Sequence, residues 1–387
     1  MEFRTYLRHF DYGLLAAVCG LVAFGMVIIY SATHSDPNLP SPFYYVRAQG
    51  IAVAMGAVLM MVFALIDFRG LRAYRWHIFI GISVLLALVL LPLGHSALGG
   101  QRWIPLGFFN MQPSELAKIA IILVISSYLA DRQRGDLETH TTVVTLAFAL
   151  VPALLVFRQP DFGTMLVIVA VTVALLFIYG TRMLHFIIMG AAVAVALFLV
   201  LQVLPVVGVQ IMKQYQVDRL LVFLHPDQDP SGSGYHLLQS KIAIGSGMLT
   251  GKGLYQGTQT QLNFLPEHHT DFIFSVLGEE LGFMGGAILL ALYVIVIWRG
   301  LRISMISESV FGSLVAGGIV AMLVFQIFVN IGMTVGIMPI TGIPLPFMSY
   351  GGSSMVSNLV AVGLLESIHI RSRLISDRRY VRAQIAG

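Results

Sequence analysis

Ten apolar runs dominate the chain, at 11–31, 49–67, 77–94, 115–130, 141–157, 163–180, 184–206, 272–298, 309–338 and 350–370. A hydrocarbon core of ~30 Å is crossed by about 20 apolar residues in a helix, so each run reads as a membrane span. In lipid the backbone must satisfy its own polar groups, which makes helices the conformation for such runs. The expected fold is therefore an all-α polytopic membrane protein of about ten transmembrane helices, forming one integral domain over 1–387. With 57% hydrophobic and 11% charged residues, and a mean hydropathy of +0.84, a water-soluble globular chain is excluded.

The arginines set the expected orientation. With a cytoplasmic N-terminus, the inward segments hold Arg4, Arg8, Arg69, Arg72, Arg75, Arg132, Arg134, Arg182, Arg299 and Arg302, and the C-terminal tail adds Arg371, Arg373, Arg378, Arg379 and Arg382. Short outward loops hold only Arg47, Arg102 and Arg158, so the positive-inside rule places both termini in the cytoplasm. The net charge of +4 thus reports topology and gives no support to nucleic-acid binding. The first apolar run is too long for a signal-peptide core and reads as the first span. A single cysteine, Cys19, excludes internal disulfides and thiolate metal clusters.

Most of the soluble mass on the outer side is expected between the seventh and eighth spans, at about 207–271. A loop of this length is usually functional or disordered. Within it YHLLQSKIAIGSG (235–247) has helical spacing around Lys241, which predicts a short helix at the membrane interface. Glycines at 232, 234, 245, 247, 251 and 253 would suit a mobile lid, with Lys252 in a turn outside the helix. A second irregular segment, MPITGIPLPFMSYGGSS (338–354), carries no charge and three prolines. Such backbone survives at membrane depth only when protein buries it or it lines a cavity.

The densest ionisable group lies in QLNFLPEHHTDFIF (261–274), where Glu267, His268, His269 and Asp271 precede an apolar run. Charges at a membrane boundary mark a candidate reactive site. Asp271 is compatible with helix capping and with a role as general base, and the two are not exclusive. In QRWIPLGFFNMQPSELAKIAI (101–121), Pro113 and Glu115 fit a first helical turn. Lys118 is spaced to pair with Glu115, which is the first reading, and its ammonium could also hold a phosphate. Arg102 and Trp103 would make a clamp for a pyrophosphate and its headgroup. Asp161 in RQPDFGT (158–164) reads first as a cap. Of Glu279 and Glu280, adjacent on one helix, at most one can face the cavity of Asp271. Two matches fail: GSGMLTGKG (245–253) lacks the phosphate-loop spacing and its Ser or Thr, and adjacent His268 and His269 lack a helical zinc spacing.

The motifs NMQPSELAK (110–118), RQPDFGT (158–164), GSGYHLLQSKIAIGSG (232–247), GKGLYQGTQTQLNFLPEHHTDFIF (251–274) and GIPLPFMSYGGSS (342–354) resemble those of the SEDS family of shape, elongation, division and sporulation proteins, over almost the whole chain. The middle runs and the G-I-P-L-P form are more similar to the elongation branch than to the division branch. The resemblance implies a peptidoglycan glycosyltransferase that polymerises lipid II on the outer face of the bacterial plasma membrane, releases undecaprenyl pyrophosphate and works with a class B penicillin-binding protein. It places the essential acid at Asp271. Candidate substrate-binding residues are Arg102, Trp103, Gln112, Glu115, Lys118, Asp161, Lys241, Glu267, His269 and Ser349.

In the expected reaction Asp271 deprotonates the 4-hydroxyl of an N-acetylglucosamine, which attacks the anomeric carbon of the lipid-linked strand with inversion. Arg102, Lys118 and Lys241 are the candidates for stabilising the departing pyrophosphate, a leaving group that needs no proton donor. No motif demands a metal; a divalent cation (Mg or Mn) is compatible with the chemistry. The rival reading is a lipid II flippase with Glu115, Lys118, Glu279 and Glu280 along a headgroup path. A carrier would concentrate its site near the midplane, whereas the densest cluster here lies at the boundary.

Overall fold

A computed structural model describes residues 3–35, 39–91, 95–97, 100–105, 110–132, 138–200, 232–261, 264–265 and 268–386. The helices are α1 (Phe3–Arg8), α2 (Tyr12–Thr33), α3 (Tyr44–Leu65), α4 (Phe68–Leu71), α5 (Arg75–Val89), α6 (Pro113–Ala130), α7 (Glu138–Arg158), α8 (Phe162–Tyr179), α9 (Met183–Phe198), α10 (Ser233–Ser246), α11 (Thr258–Gln261), α12 (Ile273–Ile306), α13 (Val310–Val335) and α14 (Gly352–Ala386). Among the described residues nine helical segments are long and apolar enough to span a membrane, with α4 and α5 joined in one of them. The seventh expected span is the shorter α9, with 16 residues. Much of the expected 207–271 loop, residues 207–231 with 262, 263, 266 and 267, lies outside the described residues.

Polarity decides which helices are central. In α6 89% of the span is buried, and in the first part of α14 100%, against 17% for Phe68–Val89. The two central helices carry Glu115, Lys118, Asn358 and Glu366, side chains that lipid would penalise and that protein must surround. Outer helices such as α9 expose Met183, Leu184, Ile187 and Phe198, which suit lipid contact.

The long helix α12 is broken at Gly282, where φ is +61° and ψ −156°. The break frees backbone groups that lipid cannot satisfy. They are taken up by the turn after α10: Lys252 N–H donates to the Glu279 carbonyl (3.0 Å) and Gly253 N–H to that of Glu280 (2.9 Å). In return Phe283 and Met284 N–H donate to the carbonyls of Met248 (2.9 Å) and Leu249 (3.0 Å). The turn is thus a plug seated in the helix break. A Cβ on Gly247 would collide with the Gly278 carbonyl and one on Gly251 with that of Glu280, so these glycines permit close packing.

The predicted helix around Lys241 is α10. It does more than lie at an interface: Ser240 and Ala243 are buried, and the Ser240 hydroxyl donates to the Thr334 carbonyl at 2.7 Å on α13 while meeting the Ser275 hydroxyl of α12 at 2.6 Å. The proline-rich segment before α14 is held inside the bundle. Gln49 of α3, fully buried, donates to the Ser349 carbonyl (3.1 Å) and accepts from Gly351 N–H (3.1 Å). A small antiparallel sheet, β1 (His95–Ala97), β2 (Gly100–Pro105) and β3 (Asn110–Met111), precedes α6. Its register pairs His95 with Trp103 and Ile104 with Met111.

Candidate functional site

Asp271 lies in the turn that leads into α12, partly exposed, one residue before the N-cap. Phe272 holds the N-cap position, and its own side chain forms no capping bond. The turn is fixed from three directions, twice through its main chain and once through a side chain. Asn330 of α13 donates through one amide nitrogen to the Asp271 carbonyl (2.9 Å) and to the Ile343 carbonyl (2.7 Å). Tyr350 N–H donates to the His269 carbonyl at 2.9 Å. The buried ring of His268 sits between the carbonyls of Leu265 (2.7 Å) and Ala32 (2.9 Å). A carboxylate carried on so constrained a turn needs little reorganisation to act on a bound substrate.

Lys241 approaches the same region. Leu237, one turn earlier on α10, packs in a cluster with Phe272 and Met333. The lysine stem then crosses the end of α13, where its Nζ lies 2.5 Å from the position a Cβ on Gly336 would take. Lys241 is exposed and makes no hydrogen bond or ion pair to a described residue. The other two candidate cations are committed. Lys118 donates to Glu115 at 2.8 Å with both side chains at most 3% exposed, and Ser357 donates to the same carboxylate oxygen at 3.1 Å. Arg102 donates to the carbonyls of Gln159 and Pro160, holding β2 against the turn before α8.

Asp161 caps α8 by accepting from Thr164 N–H (3.1 Å). Its other oxygen accepts from the Gln112 amide (3.0 Å) and the Ser114 hydroxyl (2.9 Å), which ties α8 to the start of α6. Ser349 uses its hydroxyl to accept from Leu345 N–H at 2.8 Å, inside its own turn. Trp103 is half-buried in the small sheet. Glu267 lies outside the described residues. Glu279 and Glu280, of which at most one was expected to face the cavity, are both buried and bonded elsewhere. Glu279 accepts from Lys252 (2.7 Å), Thr258 (3.1 Å) and Gln259 N–H (3.0 Å), and Glu280 accepts from Ser31 (2.7 and 2.6 Å). Among the described residues no three His, Cys, Asp or Glu side chains converge to hold a metal ion.

Sequence reasoning passed over Asn330, Gln49 and Ser31. A lone polar residue inside an apolar run was the available signal for each.

A family model described as cell cycle protein, FtsW/RodA/SpoVE, matches residues 12–374. Peptidoglycan glycosyltransferase MrdB of Escherichia coli (strain K12) is 39% identical over 368 residues, which cover 95% of this chain and 95% of that one. A solved structure described as "Structural coordination of polymerization and crosslinking by a peptidoglycan synthase complex" aligns with a TM-score of 0.78 at 29% identity, covering 94% of this chain and 98% of that one. The Thermus thermophilus rod shape determining protein RodA aligns with a TM-score of 0.67 at 28% identity, covering 93% of this chain and 96% of that one.

Proposed function

The chain belongs to the FtsW/RodA/SpoVE family of cell cycle proteins and is a multi-pass membrane peptidoglycan glycosyltransferase; we propose that it polymerises lipid II into glycan strands during cell elongation, with Asp271 as the base. The observation that carries this reading is the anchoring of the Asp271 turn by Asn330 and Tyr350 through its main chain and by the buried His268 ring.

Asp271 takes the proton from the 4-hydroxyl of the N-acetylglucosamine on an incoming lipid II. The oxygen attacks the anomeric carbon at the lipid-linked end of the growing strand, the glycosidic bond forms with inversion, and undecaprenyl pyrophosphate leaves as an anion without a proton donor. Charge grows on the pyrophosphate as its bond breaks, and a fixed cation there lowers the barrier. Lys241 fits this role best, because its ammonium is uncommitted among the described residues. Lys118 and Glu115 hold α6 and α14 in place through Ser357, and Arg102 secures the turn before α8. A Mg or Mn ion, where one takes part, would arrive on the pyrophosphate oxygens, as hard cations commonly do with phosphate substrates.

The outer face is the proposed side for Asp271. Arg72 and Arg75 pair with Asp131, and Arg299 pairs with Asp11, at the opposite helix ends, where the positive-inside rule puts the cytoplasm. Likeness to a protein of a peptidoglycan synthase complex supports a class B penicillin-binding protein as membrane partner. The flippase reading is weaker, since Glu115, Lys118, Glu279 and Glu280 are all bonded within the bundle.

Incubating the purified protein with lipid II in detergent, with no membrane to cross, tests the reading. Glycan strands and undecaprenyl pyrophosphate should both appear. A protein that folds and moves lipid II between leaflets yet forms no strand would contradict it.

A further inference from the structure

Beside Asp271 stand aromatic rings that the reaction as derived does not use. Tyr45 of α3 lies 4.4 Å from His269 and 4.8 Å from Tyr350, centroid to centroid, and His269 lies 5.7 Å from Tyr350. Tyr44 stands edge-on to Tyr45 at 5.3 Å and is 48% exposed. These rings come from three separate segments, and the backbone holds them together: Tyr350 N–H donates to the His269 carbonyl (2.9 Å), while Gln49, one turn beyond Tyr45, grips the residues on both sides of Tyr350 (3.1 Å each). Burial raises the pKa of the Tyr350 phenol, and its neighbours Tyr44 and Tyr45 act in the same direction, so the hydroxyl stays a neutral donor.

A cluster of tyrosine rings, which pair apolar faces with phenol groups, matches a pyranose, which has an apolar C–H face and hydroxyls around its edge. The C–H groups lie against the negative ring faces and the hydroxyls bond to the phenols. Tyrosines at a membrane boundary often serve only as interfacial anchors. Anchoring, however, requires no convergence of three segments next to a carboxylate and no buried glutamine to hold them. We propose that Tyr44, Tyr45 and Tyr350 form a hexosamine-binding wall that holds the N-acetylated sugar of the acceptor with its 4-hydroxyl toward Asp271. This inference rests on the reading of Asp271 as the base.

The test uses Tyr44→Leu, Tyr350→Leu and Tyr350→Phe in the full chain. Initial polymerisation rates are measured against lipid II concentration, and binding of the lipid-free disaccharide pentapeptide is followed by tyrosine fluorescence. Each Leu variant should raise KM about tenfold, while kcat stays within about threefold, the pattern of a lost contact made equally in ground and transition states. Disaccharide binding should weaken in parallel, and Tyr350→Phe should recover most of the loss. Tyr44 is exposed, so its variant will fold. The binding arm needs no turnover: a wild-type protein that binds the disaccharide but makes no strand would defeat the polymerase reading and leave the wall standing. Leu variants with wild-type KM and wild-type disaccharide affinity, or no disaccharide binding by the wild type, would overturn the wall.

Discussion

Lys252 is fastened to Glu279 twice: its main-chain N–H donates to the Glu279 carbonyl at 3.0 Å, and its ammonium donates to the carboxylate of the same residue at 2.7 Å. The two bonds seat the 247–253 plug in the break of α12, ten residues beyond the Asp271 turn. Read from sequence alone, Lys252 sits in a turn outside the helix of Lys241. The structure adds a structural role for it. Lys252→Ala leaves a fully buried carboxylate short of its cation, and should destabilise the protein by about 1–3 kcal/mol. Thermal unfolding in detergent measures this; a melting temperature equal to that of the wild type would show that the plug is held by its backbone alone.

Gly282 is the position where the broken helix tolerates nothing larger. Its φ is +61°, and a Cβ would meet the Gly247 carbonyl at 2.7 Å and collide with Gly251 N. Gly282→Ala is expected to lower stability by roughly 3 kcal/mol or more, through both strain and lost plug contacts. Gly70→Ala, where a Cβ meets no atom within 4 Å, is the matched control. Comparable unfolding temperatures for the two variants would remove the plug from the account.

Glu115 and Lys118 are expected to behave as a buried pair. Lys118→Met alone strands a carboxylate in the bundle and should cost about 3–5 kcal/mol, whereas the exchanged protein, Glu115→Lys with Lys118→Glu, should recover much of the loss. Ser357 can serve either arrangement, because a hydroxyl both donates and accepts. Recovery of folding together with strand synthesis places Lys118 outside the substrate's reach. A folded but inactive exchange would return it to the pyrophosphate site.

Lys241→Ala separates binding from folding. An exposed lysine contributes little to stability, so the unfolding temperature should change by less than that of Lys252→Ala. Initial rates against lipid II concentration should show a loss in kcat/KM of about tenfold or more, the size of a lost charge-assisted phosphate contact. A rate curve matching the wild type would leave the leaving group without this cation.

Where the sequence states a local rule, the structure follows it. Asp161 caps α8, Pro113 opens α6, Glu115 meets Lys118, and the spacing around Lys241 becomes α10. These features depend on residues within a few positions of one another. The break in α12 was not legible, because one glycine in a 34-residue apolar helix looks like any other until the plug, some thirty residues earlier in the chain, is seen to fill it. The same holds for Glu279 and Glu280. Their partners Lys252 and Ser31 lie 27 and 249 residues away, beyond any local pattern. The Asp271 turn was legible as a cluster of charges, but its anchoring by Asn330 and Tyr350 was not.

The central claim is that Asp271 acts as the base, and Asp271→Asn tests it most directly. The bond from Asn330 reaches the main chain of Asp271, so the amide variant keeps its anchoring and should fold and insert as the wild type does. With purified protein and lipid II in detergent, strand synthesis should fall by at least about 10²-fold, the range for loss of a general base. Synthesis within a few-fold of the wild type, by protein of unchanged unfolding temperature, would contradict the assignment.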